Sequence, residues 1–252
     1  MTLPPEIWDQ ILEHIPTNGK GRETLIACTL VATWWTGPSQ RRLFSSVEVR
    51  LDNYKKWMLG VTLSESKARL LGYVRSFEFS SHCRYRMEGL AQDCGEWFSA
   101  LRNLHSLGLH GVRVEHVSEE AFHTCFSAFR ETLTCLSLNT FAASFSAFVT
   151  LVDYFPNITT LRLRSSARGS WSQEPVPSLS RPLRGKLHVH TIDGVEPYPS
   201  QFFSQLTVLD LEYEELIIDS PSVMEMGFVE RVLQISTSTI KVLRLTGGIQ
   251  RE

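Results

Sequence analysis

Residues 158–190 carry Arg162, Arg164, Arg168, Arg181, Arg184 and Lys186 against a single acid, Glu174, and His188 and His190 close the stretch. Guanidinium groups held side by side offer paired donors to a carboxylate or a phosphate, so the stretch could bind an anion. It does not read as a metal centre: His188 and His190 share one strand face, and His82-Cys83 are adjacent, but neither pair has a third ligand at a zinc spacing. Cys94 stands two residues from Glu96, an arrangement open to a thiol and its base. It lies, however, on the helical face Cys94-Trp97-Phe98-Leu101 and reads as a core cysteine. Gly19-Lys20-Gly21 lacks the glycine spacing and the preceding strand of a phosphate loop. No Gly-x-Ser-x-Gly, Cys-x-x-Cys or His-Glu-x-x-His occurs. The residues imply binding without catalysis, and no cofactor or metal is expected.

The elements that would carry the basic residues repeat. Apolar residues recur as apolar-x-x-apolar-x-apolar at Phe44-Val47-Val49, Val74-Phe77-Phe79, Leu104-Leu107-Leu109, Leu133-Leu136-Leu138, Ile158-Leu161-Leu163, Leu206-Leu209-Leu211 and Ile240-Leu243-Leu245. A weaker version, Leu183 … Leu187-His188-Val189, fills the one large gap. The starts are separated by 30, 30, 29, 25, 25, 23 and 34 residues, the spacing of a solenoid. Helical segments lie between: one from Ser118 with Ala121, Phe122, Cys125 and Phe129 inward, one over 144–154, one over 222–235. If the leucines face the core, the residues between them share the other face. Arg162 and Arg164 then stand beside His188 and His190 one strand along, with Arg184 and Lys186 preceding. Repeat seven would contribute Asp210 and Glu212. Residues 206–230 hold seven acids and no Lys or Arg, so an acidic band should adjoin the basic one. An acidic or phosphorylated peptide fits the basic band.

A net charge of −2 gives no argument for nucleic acid or an anionic membrane. No apolar run approaches a membrane span, and no basic-then-apolar leader opens the chain. Five cysteines without paired spacing read as reduced thiols of an intracellular protein of the cytoplasm or nucleus. The sequon Asn157-Ile158-Thr159 is expected to be idle.

The N-terminus is of another kind. Ile7, Trp8, Ile11, Leu12 and Ile15 mark one face of a helix that Pro5 should start and Pro16 end. A second face runs through Leu25, Ile26, Cys28, Leu30 and Val31, then Trp34-Trp35, a break at Gly37-Pro38, and Arg41-Arg42-Leu43-Phe44. A core this small needs outside support. The stretch LPPEIWDQILEHI … LIACTLVATWW … RRLF resembles an F-box, most closely those of the large F-box families of mushroom-forming fungi. The resemblance covers about the first fifth of the chain. It implies binding of a Skp-type adaptor, and through it a cullin, by Leu3, Pro4, Ile7, Ile11, Leu12, Leu25, Cys28, Val31 and Trp35. Two departures stand out: Ala32-Thr33-Trp34-Trp35 replaces the common Cys-Arg-x-Trp, and the first loop, Thr17–Glu23, is long.

The strand-then-helix units resemble leucine-rich repeats, which build a right-handed arc with a parallel sheet on its concave side. The usual Asn or Cys after the last leucine is missing, with Val112, Phe141, Ser166, Glu214 and Gly248 in its place. The expected fold is therefore α/β. An all-α F-box over residues 1–45 leads into an irregular leucine-rich-repeat-like solenoid over 46–252, interrupted by a loop over 167–182. A doubly wound α/β domain is the alternative. The chain stops just after a strand with no polar capping repeat, which fits a shortened protein. The expected function is the substrate-recognition subunit of an SCF-type ubiquitin ligase. The alternatives are an interaction scaffold whose N-terminal helices only cap the arc, and an enzyme whose site spans several repeats.

Overall fold

A computed structural model describes residues 4–50, 69–113, 119–139, 145–164, 179–181, 183–190, 211–219, 230, 233–234 and 239–246. The chain begins with helices α1 (Pro5–Glu13), α2 (Gly19–Val31) and α3 (Thr33–Leu43). Pro5 occupies the first position of α1, where its missing N–H costs nothing. The α1–α2 connection is shorter than expected, because α2 already starts at Gly19. Gly21 is needed for packing, since a Cβ there would collide with the Pro16 carbonyl.

The expected break at Gly37-Pro38 does not occur: α3 runs through both residues. Proline disfavours helical geometry in its predecessor by clashing with that residue's Cβ, and glycine has none. The break falls instead at Ala32, whose backbone is extended (φ −156°, ψ 148°). There the Thr36 hydroxyl donates to the carbonyls of Thr29 (3.1 Å) and Ala32 (3.4 Å). Leu12, Leu25, Cys28 and Leu43 form a small core of their own, with Ile15, Trp35 and Phe44 against it. Trp8 lies 4.9 Å from Trp34 and 4.4 Å from Trp35, ring centre to ring centre. Arg41 Nη2 donates to both carboxylate oxygens of Asp9 (2.9 and 3.2 Å) and ties α3 to α1.

Among the described residues eight strands follow, all parallel and hydrogen-bonded in sequence order: β1 (Ser46–Arg50), β2 (Ser76–Arg86), β3 (Ser106–Arg113), β4 (Cys135–Asn139), β5 (Thr160–Arg164), β6 (Leu183–His190), β7 (Leu211–Asp219) and β8 (Val242–Thr246). Helices α4 (Met87–Phe98), α5 (Glu119–Phe126) and α6 (Phe145–Tyr154) lie between strands. Sequence-order parallel pairing with helical connections gives a solenoid-like α/β arrangement and excludes the doubly wound alternative, whose strand order reverses.

Val47, Phe77, Leu107, Leu136, Leu161, Leu187 and Leu216 align in one buried row, and Val49, Phe79, Leu109, Leu138, Leu163, Val189 and Ile218 in the next. Trp97, Phe98, Phe126, Phe129, Phe148 and Phe155 back these rows from the helical side in one continuous core. The small N-terminal core is separate from it.

A repeated device sets the strand register. The Ser45 carbonyl accepts from the N–H groups of both Arg75 and Ser76, the Arg75 carbonyl from His105 and Ser106, the His105 carbonyl from Thr134 and Cys135, and the Thr134 carbonyl from Thr159 and Thr160, all at 2.8–3.0 Å. Just before each strand, Asn103 donates to the Gly72 carbonyl (2.8 Å), Thr132 to that of Leu104 (2.8 Å) and Asn157 to that of Glu131 (2.7 Å). These side chains satisfy turn carbonyls from the front of the repeat, where the expected asparagine lay behind it. The sequon asparagine thus has a structural use.

Strand seven differs from expectation. Its buried residues are Tyr213, Leu216 and Ile218, with Leu216 paired with Leu187 and Ile218 with Val189, while Leu206 and Leu209 of the expected triplet lie outside the described residues. The open-face residues described there are Glu215 and Ile217. Most of the expected loop over 167–182, and the helix over 222–235 apart from 230 and 233–234, lie outside the described residues.

Candidate functional site

Two surfaces stand out. The first is the N-terminal helices. Ile7 is 39% exposed and Ile11 41%, while Leu107 and Leu138 in the sheet are fully buried. Pro4 is also exposed, and Leu3 lies outside the described residues. Val31 is 73% exposed, and Trp35 is half-buried against the small core. Leu12, Leu25 and Cys28 are buried in that core and hold the helices together. Burial also pushes the Cys28 thiol pKa up. Ile26, Trp34 and above all Leu30, 82% exposed, belong to the free surface instead. A signal existed, because α2 is apolar on two faces and one chain core can cover only one of them.

The second surface is the sheet face opposite the helices. As the alternation requires, Arg162 aligns with His188 and Arg164 with His190. Arg184 aligns with Glu212, and the side chains of Arg164, Arg184 and His190 lie outside the description. Lys186 reaches Glu215 on the next strand at 2.6 Å. That bond holds the Glu215 carboxyl below its usual range, with the charges of Lys186, His188 and Arg244 adding to it. The expected acidic band does adjoin the basic one, since β7 pairs directly with β6. The β7 register brings Glu215 onto Lys186, so the bands are joined at their border and Lys186 is already neutralised.

One row of this face reads Glu48, Glu78, Gly108, Ser137, Arg162, His188, Ile217, Arg244 in successive strands. At Gly108 the row has no side chain, and an open trough of about 410 Å³ lies over it. A Cβ there would sit 3.0 Å from Glu78 Cγ and 3.4 Å from His110 Nε2. Glu78 Oε1 lies 2.8 Å from His110 Nε2, and Asn139 Nδ2 lies 3.3 Å from His110 Nδ1. As the amide is oriented, Asn139 donates to Nδ1 and leaves Nε2–H to donate to Glu78. The imidazole is thereby fixed as one wall of the trough, and Arg162 and His188 form the far wall.

Among the described residues no three His, Cys, Asp or Glu side chains are grouped to hold a metal, and no helix is long and apolar enough to cross a membrane. Cys94 is buried, as its helical face implied. Burial beside Cys94 pushes the Cys125 thiol up to about 12.

No protein-family model matches the chain, and no curated protein matches it. A crystal structure of a Bacteroides fragilis protein aligns over 80% of this chain and 52% of its own, with 11% identity and a TM-score of 0.41. The chain thus spans about half the length of that protein, and the likeness carries no argument about function.

Proposed function

We propose that this chain is the substrate-recognition, F-box-type subunit of an SCF-type ubiquitin ligase. Its N-terminal helices bind a Skp-type adaptor, and through it a cullin, while the repeat region holds a target. One observation supports this most: Ile7, Ile11, Ile26, Leu30, Val31 and Trp34 are exposed on a three-helix unit that already has its own core. Helices that merely capped the sheet would turn these residues into it. An apolar helical surface beside a satisfied core suits docking against a partner's helices.

The role is one of proximity. The adaptor side tethers the chain to the ligase, and the sheet face raises the local concentration of target near the charged conjugating enzyme. No side chain of this protein takes part in bond making.

The test is co-purification of the full chain with a recombinant Skp-type adaptor, compared with an Ile11→Asp/Leu30→Asp variant of unchanged melting temperature. Binding lost in the variant supports the reading. Absence of binding by both leaves the interaction scaffold, with the helices as a cap.

A further inference from the structure

The charge along the Gly108 row changes sign across its gap. Glu48 and Glu78 lie on one side, Arg162 and His188 on the other, with Gly108 and the small Ser137 between. A purely anionic ligand would engage the Arg162 end and then meet the Glu78 carboxylate, with Glu48 beyond it already paired with Arg50 at 3.3 Å. With Lys186 already bound to Glu215, the cationic end is also narrower than the count of basic residues implies. A dipolar ligand matches the whole row.

The spacing is set by the sheet. Glu78 and Arg162 are aligned through three strand steps, Glu78 to Gly108 to Ser137 to Arg162. At ~4.8 Å per step that is about 14 Å. An extended peptide advances ~3.4 Å per residue, so the same span takes about four residues. Even spacing matters as much as length, because residues i, i+2 and i+4 of an extended chain point the same way. The middle of the three then falls between Gly108 and Ser137, over the gap. An open trough with polar walls suits such a peptide better than a compact apolar ligand, which needs enclosure.

We infer that the open face binds an extended target segment with a cationic side chain at Glu78, an anionic one (carboxylate or phosphate) at Arg162, four residues apart, and the side chain midway between them seated over the gap between Gly108 and Ser137. This rests on the reading that the repeat region is the target-binding part, and it is independent of the adaptor.

The test uses the purified full chain without adaptor on an array of immobilised Lys-Ala-Z-Ala-Glu peptides. Z is scanned, phosphoserine replaces Glu in one arm, and both charge orders are included. Peptides with the charges three or five apart are controls. The four-residue spacing should be preferred, with a dependence on the size of Z. Arg162→Glu should weaken binding roughly ten- to hundredfold, as expected for loss of a charged hydrogen bond. Gly108→Val should abolish the dependence on Z, with unchanged melting temperature confirming folding. Equal binding at all three spacings, binding of all-acidic peptides at the same strength, or no binding by the folded chain overturns the inference. Because adaptor is absent, these outcomes are separate from the co-purification result.

Discussion

Lys186 extends across the β6–β7 step to within 2.6 Å of the Glu215 carboxylate, joining the basic strand to the acidic one. The bond lowers the folded-state pKa of Glu215 relative to its ordinary 4.5. Its stabilisation is therefore present above the unfolded pKa and lost as pH falls through the folded one. Lys186→Ala should return the Glu215 titration toward 4.5, read from its side-chain carboxyl carbon by NMR, and should shallow the acid limb of melting temperature against pH. An unmoved titration would show the bond absent in solution. At neutral pH the change in stability should be small, since Lys186 is half-exposed.

Two substitutions separate the helices' core from their surface. Leu25→Ala empties a fully buried site in the small core and should cost ~2–5 kcal/mol locally. Because that core is separate from the sheet's, amide exchange should accelerate in α1–α3 and not in β2–β5. Pro4→Ala with Ile11→Asp acts at exposed positions and should shift stability by about 0.5 kcal/mol or less while abolishing adaptor binding. A matching loss of exchange protection across the sheet would mean that the helices are integral to it.

Arg162 is exposed on the open face. Binding of a target's anionic side chain through it should weaken between low and physiological ionic strength, as screening closes to ~8 Å. Arg162→Glu/Arg164→Glu should remove both the binding and the salt slope. Affinity indifferent to salt and to this pair would move the target site off the basic strand.

Tyr213 is buried, its hydroxyl has no hydrogen-bond partner among the described residues, and burial raises its pKa. Tyr213→Phe should therefore stabilise the protein by about 1 kcal/mol, whereas Tyr213→Ala should destabilise it by ~3–5 kcal/mol. A destabilising Phe variant would reveal a partner for the hydroxyl.

Thiol labelling tests the burial pattern. Cys28, Cys94 and Cys125 are buried, and Cys135 is half-exposed. Iodoacetamide at pH 8 should modify Cys135 well before the other three, followed by peptide mass spectrometry. Early labelling of Cys125, whose thiolate burial disfavours, would contradict the packing of α4 on α5.

Much of the sheet was readable because a strand's alternation is rigid: given Leu161 and Leu163 inward, the row containing Arg162 and His188 follows. The reading failed at strand seven, where two triplets follow one another closely, Leu206-Leu209-Leu211 and Tyr213-Leu216-Ile218. Pattern alone cannot choose between them, but distance could have. Leu216 follows Leu187 by 29 residues, in keeping with the earlier repeats, and accepting tyrosine as a core residue would have resolved it. Gly37-Pro38 misled because the pair was read as two breakers, when the glycine relieves the clash that the proline creates. The trough was not legible at all. It depends on the absence of one side chain at a position whose neighbours, Glu78 and His110, come from different repeats.

The carbonyls of Ser45, Arg75, His105 and Thr134, each accepting two N–H groups from the next repeat, carry one more consequence. Alignment is re-established at each of the entries to β2, β3, β4 and β5, so an offset introduced in one of those connections is not inherited by the strands beyond it. Connections can lengthen or shorten over generations while the open-face row stays in line. Each residue of that row can also change by a single codon without touching the leucines on either side. The architecture thus separates what must be kept from what is free to vary, and a lineage could re-target this surface one residue at a time without rebuilding the molecule.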